Sequence, residues 1–260
     1  MRILFLGNNW VGWQVLKWLK FQNEDIAGLV MHPPNRRRYG KNLLSEYSGP
    51  QDAVWDATAL RSAETIEAIQ VLKPDIGVSA YFGYILREPI LKLFPMGCIN
   101  IHPAFLPYNR GANPNVWSII DETPAGVTIH YMDVGVDTGD LISQQRVEIE
   151  LTDTGESLYR KLEQTSVALF KKTWPAIHSG TIKRTKQPEG DGSNYFLKDT
   201  EKIDKIDLDR QYKARDLINI LRARTFPPYH GAYFLENDEK VFMRLQLYRE
   251  NHSKNDDKNE

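Results

Sequence analysis

A single cysteine, Cys98, stands in a chain of 260 residues, which excludes both an internal disulfide framework and a cysteine-based zinc site. A reducing, cytoplasmic setting is expected. Charge of one sign is missing as well: 33 Lys and Arg face 34 Asp and Glu, for a net charge of -1. The field of the whole protein therefore offers nucleic acid or an anionic membrane no attraction. Long hydrophobic runs are also absent. The N-terminal run Met1 to Leu6 stops at Gly7-Asn8-Asn9, too short for a signal-peptide core or a membrane span. The six histidines (His32, His102, His130, His178, His230 and His252) contain no pair at metal-ligand spacing, so no metal is expected. Between Gly7 and Gly12 the first strand-to-helix turn lacks the middle glycine that admits a pyrophosphate, and no Gly-Lys-Ser/Thr follows. Nicotinamide, flavin and P-loop chemistries are set aside. Trp10, in that turn, stays a candidate ligand contact.

What is present is an alternation of short apolar runs and helical patterns, the mark of a mostly parallel sheet covered on both faces. Strands are predicted at Arg2 to Leu6, Ile26 to Met31, Ala53 to Asp56, Ile76 to Ser79 and Cys98 to Ile101, with helices at Val11 to Leu19, Ala63 to Leu72 and Glu88 to Leu93. Two more strands, Val127 to Met132 and Leu141 to Ile149, flank a loop around Asp137. A long structural helix follows, its apolar stripe running through Leu158, Leu162, Leu169, Phe170, Trp174 and Ile177. Asp153 with Glu156 resembles a capping box at its start, and Gly180 lies beyond its end. A Pro, Gly and Asp-rich stretch from Lys186 to Asn194 reads as the exit from the main domain. The domains expected are 1–187, a small appendage at 188–250 and a disordered tail at 251–260. Within the appendage, a helix is predicted at Ala214 to Arg222 and a β-hairpin from Gly231 to Leu235 and Lys240 to Leu247, around Asn237-Asp238.

Chemistry concentrates in Asn100-Ile101-His102-Pro103. Side chains two apart on a strand point the same way, so Asn100 and His102 face one reacting group together. An isolated Asn-x-His would more often just end a strand, but here it exits into a polar, constrained loop of the kind that lines ligand sites. Asp137, in Gly135-Val136-Asp137-Thr138-Gly139-Asp140, reads equally as a turn former, as does Asp140. Arg36-Arg37-Arg38 reads as a solvated face rather than a binding patch. Phe82-Gly83-Tyr84-Ile85-Leu86 follows a strand's carboxyl end, where open α/β sheets bind ligands.

Taken together, Asn100-x-His102-Pro103, Leu106-Pro107, Arg110-Gly111-Ala112, Gly126-Val127-Thr128, Met132-Asp133-Val134-Gly135 and Asp137-Thr138-Gly139-Asp140 resemble the formyltransferase domain of methionyl-tRNA formyltransferase and its relatives. The resemblance spans roughly Met1 to Pro188. It implies a Rossmann-like α/β fold with a mostly parallel sheet and a small C-terminal β-containing appendage, N10-formyltetrahydrofolate as formyl donor and an amine as acceptor. It also implies catalytic roles for Asn100, His102 and Asp137. Donor binding is implied for Phe82, Gly83, Tyr84, Ile85, Leu86, Val134, Gly135 and Val136.

For the acceptor, the residues beyond Lys186 are expected to be too few to grip a tRNA, and the chain is not basic. Asn109 to Trp117 and Thr225 to Tyr233 are instead similar to the sugar N-formyltransferases. That similarity implies a nucleotide-linked amino-deoxy sugar as substrate, a role in surface polysaccharide such as O-antigen lipopolysaccharide, and a homodimer. Trp10, Asn109, Arg110, Phe226, Tyr229 and Tyr233 are its candidate contacts, although the last three serve equally well as packing for a small β unit. A truncated methionyl-tRNA formyltransferase and a non-catalytic folate or nucleotide-binding module are the alternatives.

Overall fold

The computed structural model describes residues 1–188, 190 and 192–250; the expected tail at 251–260 lies outside them. The chain runs β1 (Arg2–Gly7), α1 (Asn9–Phe21), β2 (Asp25–Met31), α2 (Gly40–Glu46), β3 (Val54–Asp56), α3 (Ala63–Val71), β4 (Ile76–Ala80), α4 (Glu88–Leu91), β5 (Cys98–His102) and β6 (Arg110–Gly111). It continues with α5 (Pro114–Ile120), β7 (Ala125–Tyr131), β8 (Leu141–Val147), α6 (Gly155–His178), β9 (Asn194–Tyr195), α7 (Leu197–Asp204), α8 (Ala214–Ala223), β10 (Tyr233–Glu236) and β11 (Glu239–Phe242). Seven strands form the main sheet in the order β3-β2-β1-β4-β5-β7-β8. The first five are parallel, and β7 and β8 are antiparallel. This is the expected mixed α/β architecture.

The sheet reads as continuous apolar runs because both faces are covered. On β1, Ile3 and Phe5 pack into a core built with Val11, Val15, Leu16 and Leu19 of α1 and Leu158, Leu162 and Phe170 of α6. Leu4 and Leu6 enter the opposite core with Val30, Ile69, Phe82, Leu86 and Phe94. Helix α1 starts within reach of the end of β4, and a Cβ at position 12 would sit 3.2 Å from the Ala80 carbonyl oxygen, a tight contact that glycine relieves. Chain order reverses across β1 and β4, so a crevice opens at their carboxyl ends.

Helix α6 carries the expected stripe, but its cap differs from the expectation. Thr154, extended at φ -98° and ψ 173°, accepts from the Ser157 amide at 3.2 Å, and Ser157 Oγ accepts from the Thr154 amide at 2.9 Å. Asp153 lies one residue too early and instead accepts from Ser157 Oγ, the Glu150 amide and Lys161. At the other end Gly180, at φ +69°, and Thr181 donate to the carbonyls of Ile177 and Ala176, closing the helix with a left-handed glycine as expected.

Three helices were not anticipated from the sequence: α2, α5 and α7. The polar loop that follows β5 gives way to α5 at Pro114, the first residue of that helix. Pro114 through Ile119 are all buried, so this helix has no polar face and hence no amphipathic period to read. Beyond α6, α8 docks on the main unit through Arg222, whose guanidinium donates to the carbonyls of Glu150, Leu151 and Asp153. The hairpin forms with Asn237 and Asp238 both at positive φ, the geometry of a tight primed turn. Its second strand stops at Phe242 rather than Leu247.

Candidate active site

Strand β5 places Asn100 and His102 on one side of the sheet, and its antiparallel register with β7 sets His130 directly beside Asn100. The loop between β7 and β8 then brings Asp137 over both. Asp133 organises that loop by accepting from the Gly135 amide at 3.0 Å and Thr138 Oγ1 at 2.6 Å. Asp137 itself sits in the left-handed region, φ +53°, a conformation that costs a non-glycine residue on the order of 1 kcal/mol and survives only where its surroundings enforce it. Its Oδ2 accepts the Gly111 amide at 2.9 Å and lies 3.6 Å from His102 Nδ1. Its Oδ1 lies 3.3 Å from Asn100 Nδ2 and 3.4 Å from His130 Nε2. Asp140 is not part of this cluster.

The hydrogen bonds orient each group. Asn100 Oδ1 accepts from Ser79 Oγ at 2.9 Å, which turns its amide nitrogen toward Asp137 and His130. The Tyr131 carbonyl, 2.8 Å from His130 Nδ1, can only accept, so Nδ1 carries the proton and Nε2 offers a lone pair to Asn100. By the same logic the Asn109 carbonyl, 3.3 Å from His102 Nε2, places the His102 proton on Nε2. Nδ1, facing Asp137, is left free to take up another. Burial lowers the His102 pKa, outweighing the rise from Asp137 and the Asn109 carbonyl, so the imidazole is neutral near pH 7. Burial opposes the charge on Asp137, yet His102 and His130 in their protonated forms, with the Gly111 amide, hold its pKa well below the usual carboxylate range. A neutral base thus faces a fixed negative charge in a buried site.

This cluster forms the floor of a cavity of about 560 Å³. Phe82, Gly83, Tyr84, Ile85 and Leu86 line it, as do Gly135 and Val136; Val134 is 70% exposed and does not. The six candidate acceptor contacts divide. Trp10, in the first turn of α1, is partly buried against the core and does not line the cavity. The buried Asn109 side chain is consumed by Ser118, Thr123 and Ser193, and the Arg110 guanidinium by Gln187. Tyr233 lies within the hairpin against Phe242 and Lys240. Phe226 and Tyr229 do not line the cavity either but join it through Tyr159 of α6, which does: Tyr159 and Phe226 rings are 5.4 Å apart, Phe226 and Tyr229 5.5 Å. Arg38 lies over the half-exposed Tyr229 ring at 5.3 Å, so one member of the arginine run is not simply a solvated charge.

Sequence reasoning missed Ser79, His130 and Tyr159. Tyr159 lay hidden on a helix read as purely structural. Its hydroxyl accepts from Asn9 Nδ2 at the start of α1. Among the described residues, no group of three His, Cys, Asp or Glu side chains could hold a metal ion.

Residues 3–173 match the family model described as formyl transferase, and residues 199–249 match the N-formyltransferase dimerization C-terminal domain. A methionyl-tRNA formyltransferase from Geotalea daltonii is 32% identical over 256 residues, covering 95% of this chain and 80% of that protein. The crystal structure of a 4-N formyltransferase from Francisella tularensis superposes with a TM-score of 0.80 at 27% identity, over 95% of this chain and 98% of that one. The formyltransferase PseJ from Anoxybacillus kamchatkensis, solved in complex with UDP-4,6-dideoxy-4-formamido-L-AltNAc and tetrahydrofolate, is 33% identical with a TM-score of 0.57, over 78% of this chain and 89% of that one.

Proposed function

Because the chain belongs to the formyl transferase family, we propose that it transfers the formyl group of N10-formyltetrahydrofolate to the amine of a nucleotide-linked amino-deoxy sugar. The observation that carries the formyl-transfer reading is the convergence of Asn100, His102 and Asp137 on the cavity floor. A donor site in this cavity is supported by its volume of about 560 Å³, which leaves room for a flat pterin, and by Phe82, Leu86, Ile101 and Met132 in its lining.

The residues then divide the work. Attack of the amine on the formyl carbon leaves an oxyanion and a positively charged nitrogen. Asn100 donates to the oxyanion. Its amide has only two N–H groups, one shared with His130 and one with Asp137, so stabilising the oxyanion exchanges one of these bonds. His102 accepts the amine's proton at Nδ1, where Asp137 stabilises the imidazolium, and returns it to N10 as the C–N10 bond breaks.

For the acceptor, two observations support a sugar nucleotide. The C-terminal match is to the N-formyltransferase dimerization unit, and the series Tyr159, Phe226, Tyr229 and Arg38 runs from the cavity outward, offering ring faces to a base and a cation to phosphate. The 32% identity to a methionyl-tRNA formyltransferase sustains methionyl-tRNA as the second reading. The test is a mass-spectrometric screen of nucleotide-linked amino sugars with the formyl donor, read as the added formyl mass. Product from at least one sugar is expected. Inactivity on all of them with formylation of methionyl-tRNA would replace the sugar by the tRNA.

A further inference from the structure

Gln187 lies outside the motifs singled out in the sequence, in the segment that leaves α6, yet its side chain joins the two loops that hold the cavity floor. Its Nε2 donates to the carbonyl of Asp137 at 2.7 Å and to that of Gly139 at 2.9 Å. Its Oε1 accepts from Arg110 Nε at 3.0 Å and Nη2 at 2.7 Å. Both amide donors and both acceptor sites of this half-buried side chain are in use. One of its bonds ends on the backbone of the residue held at φ +53°; the other side ends on the residue preceding Gly111, whose amide binds the Asp137 carboxylate.

We propose that Gln187 is a positioning residue for the formyl-transfer site: it locks the Asp137 loop to the Asn109–Gly111 loop and so fixes Asp137 against His102. The inference rests on the role given above to Asp137. A left-handed non-glycine residue persists only when its neighbours over-determine it, and a carbonyl bond to Asp137 itself, paired with a bidentate arginine, does that directly. The rest of the segment has its own anchors. Strand β9 pairs with β6, Tyr195 stacks on Trp117 at 3.9 Å, and the Asn109 amide donates to Ser193 Oγ at 2.8 Å. Altering Gln187 therefore leaves the segment attached while freeing the Asp137 loop.

The test compares Gln187→Glu with Gln187→Leu. The first keeps an acceptor for Arg110 but sets a carboxylate against the two carbonyls; the second removes both halves of the clamp. In each, kcat is expected to fall by at least about tenfold, up to the roughly hundredfold that a misplacement of about 1 Å costs, with both KM values within about twofold of the parent. In the ligand-free protein, NMR titration of the His102 imidazole, whose facing ionisable groups are Asp137 and His130, is expected to move down by about one unit, the low end of what an opposite charge contributes. Parental kcat with a parental His102 titration would overturn the proposal, as would a lowered melting temperature with both of these unchanged. Should Gln187→Leu fail to fold, Gln187→Glu decides alone. The imidazole titration needs no substrate, so it separates failure of this inference from failure of the sugar assignment.

Discussion

His102 and Asp137 are opposite outcomes of burial. The imidazole yields to it and stays neutral near pH 7, while the carboxylate keeps its charge because the protonated forms of the two histidines beside it and a backbone amide hold its pKa down. Activity governed by His102 as base is expected to rise with pH through a value below the unperturbed 6.5 or so, read as the acid limb of kcat/KM. Asp137 favours protonated His102, so Asp137→Asn should move that limb to still lower pH; a shift upward would refute the pairing. The same substitution should depress kcat far more than donor affinity, and equal losses in both would remove Asp137 from the chemistry. Stability follows the carboxylate with a definite sign. Its pKa is depressed on folding, so its contribution is present above about pH 4 and is lost as acid protonates it. Asp137→Asn should flatten the fall in stability on acidification below that pH, measured by denaturant unfolding at stepped pH. Asn100 and His102 were legible as a pair because strand spacing alone puts them on one face. His130 was not, since only the register of β7 against β5 sets it beside Asn100.

Strands β1 to β5 could be read with near-final boundaries because a sheet covered on both faces writes uninterrupted apolar runs into the chain. Helix α6 was equally legible from its stripe. Its cap was misassigned by one residue, because Asp153, Thr154 and Ser157 all have capping side chains and only backbone angles choose among them. Thr154→Ala should cost about 1 kcal/mol, or roughly 2 to 4 °C in melting temperature for a chain of this size, whereas Glu156→Gln should change little. The short helices α2, α5 and α7 carry too few residues, or too uniform a burial, to show a period. The aromatic series spans three elements: Tyr159 on α6, Phe226 and Tyr229 after α8, and Arg38 before α2. If it holds the nucleotide, Tyr229→Ala should raise the acceptor KM by roughly 5- to 150-fold and leave the donor KM within error; an equal rise in both would show that it merely packs. Losing one stacked base is worth about 1–3 kcal/mol.

At the scale of the whole molecule, the C-terminal unit is docked through Arg222 and Gly155, where Ala223 leaves no room for a side chain. It also presents apolar groups to solvent: Leu208, Ile218, Val241 and Phe242 are each at least 40% exposed. With the dimerization-domain match, these groups are the basis on which we propose that two chains pair through this unit. Light scattering is expected to return twice the 30.0 kDa chain mass, and Phe242→Asp to return one chain mass. Among the described residues no helix is long and apolar enough to cross a membrane. The sequence by itself determined the alternating α/β order, the pairing of Asn100 with His102, and a loop carrying Asp137, because those follow from local periods and spacings. Only the tertiary structure showed that His130, Ser79 and Gln187 orient them, and that Tyr159 lines the cavity with Phe226 and Tyr229 joined to it from outside. Those contacts join residues tens of positions apart, and no local pattern encodes which distant loops a fold will bring together.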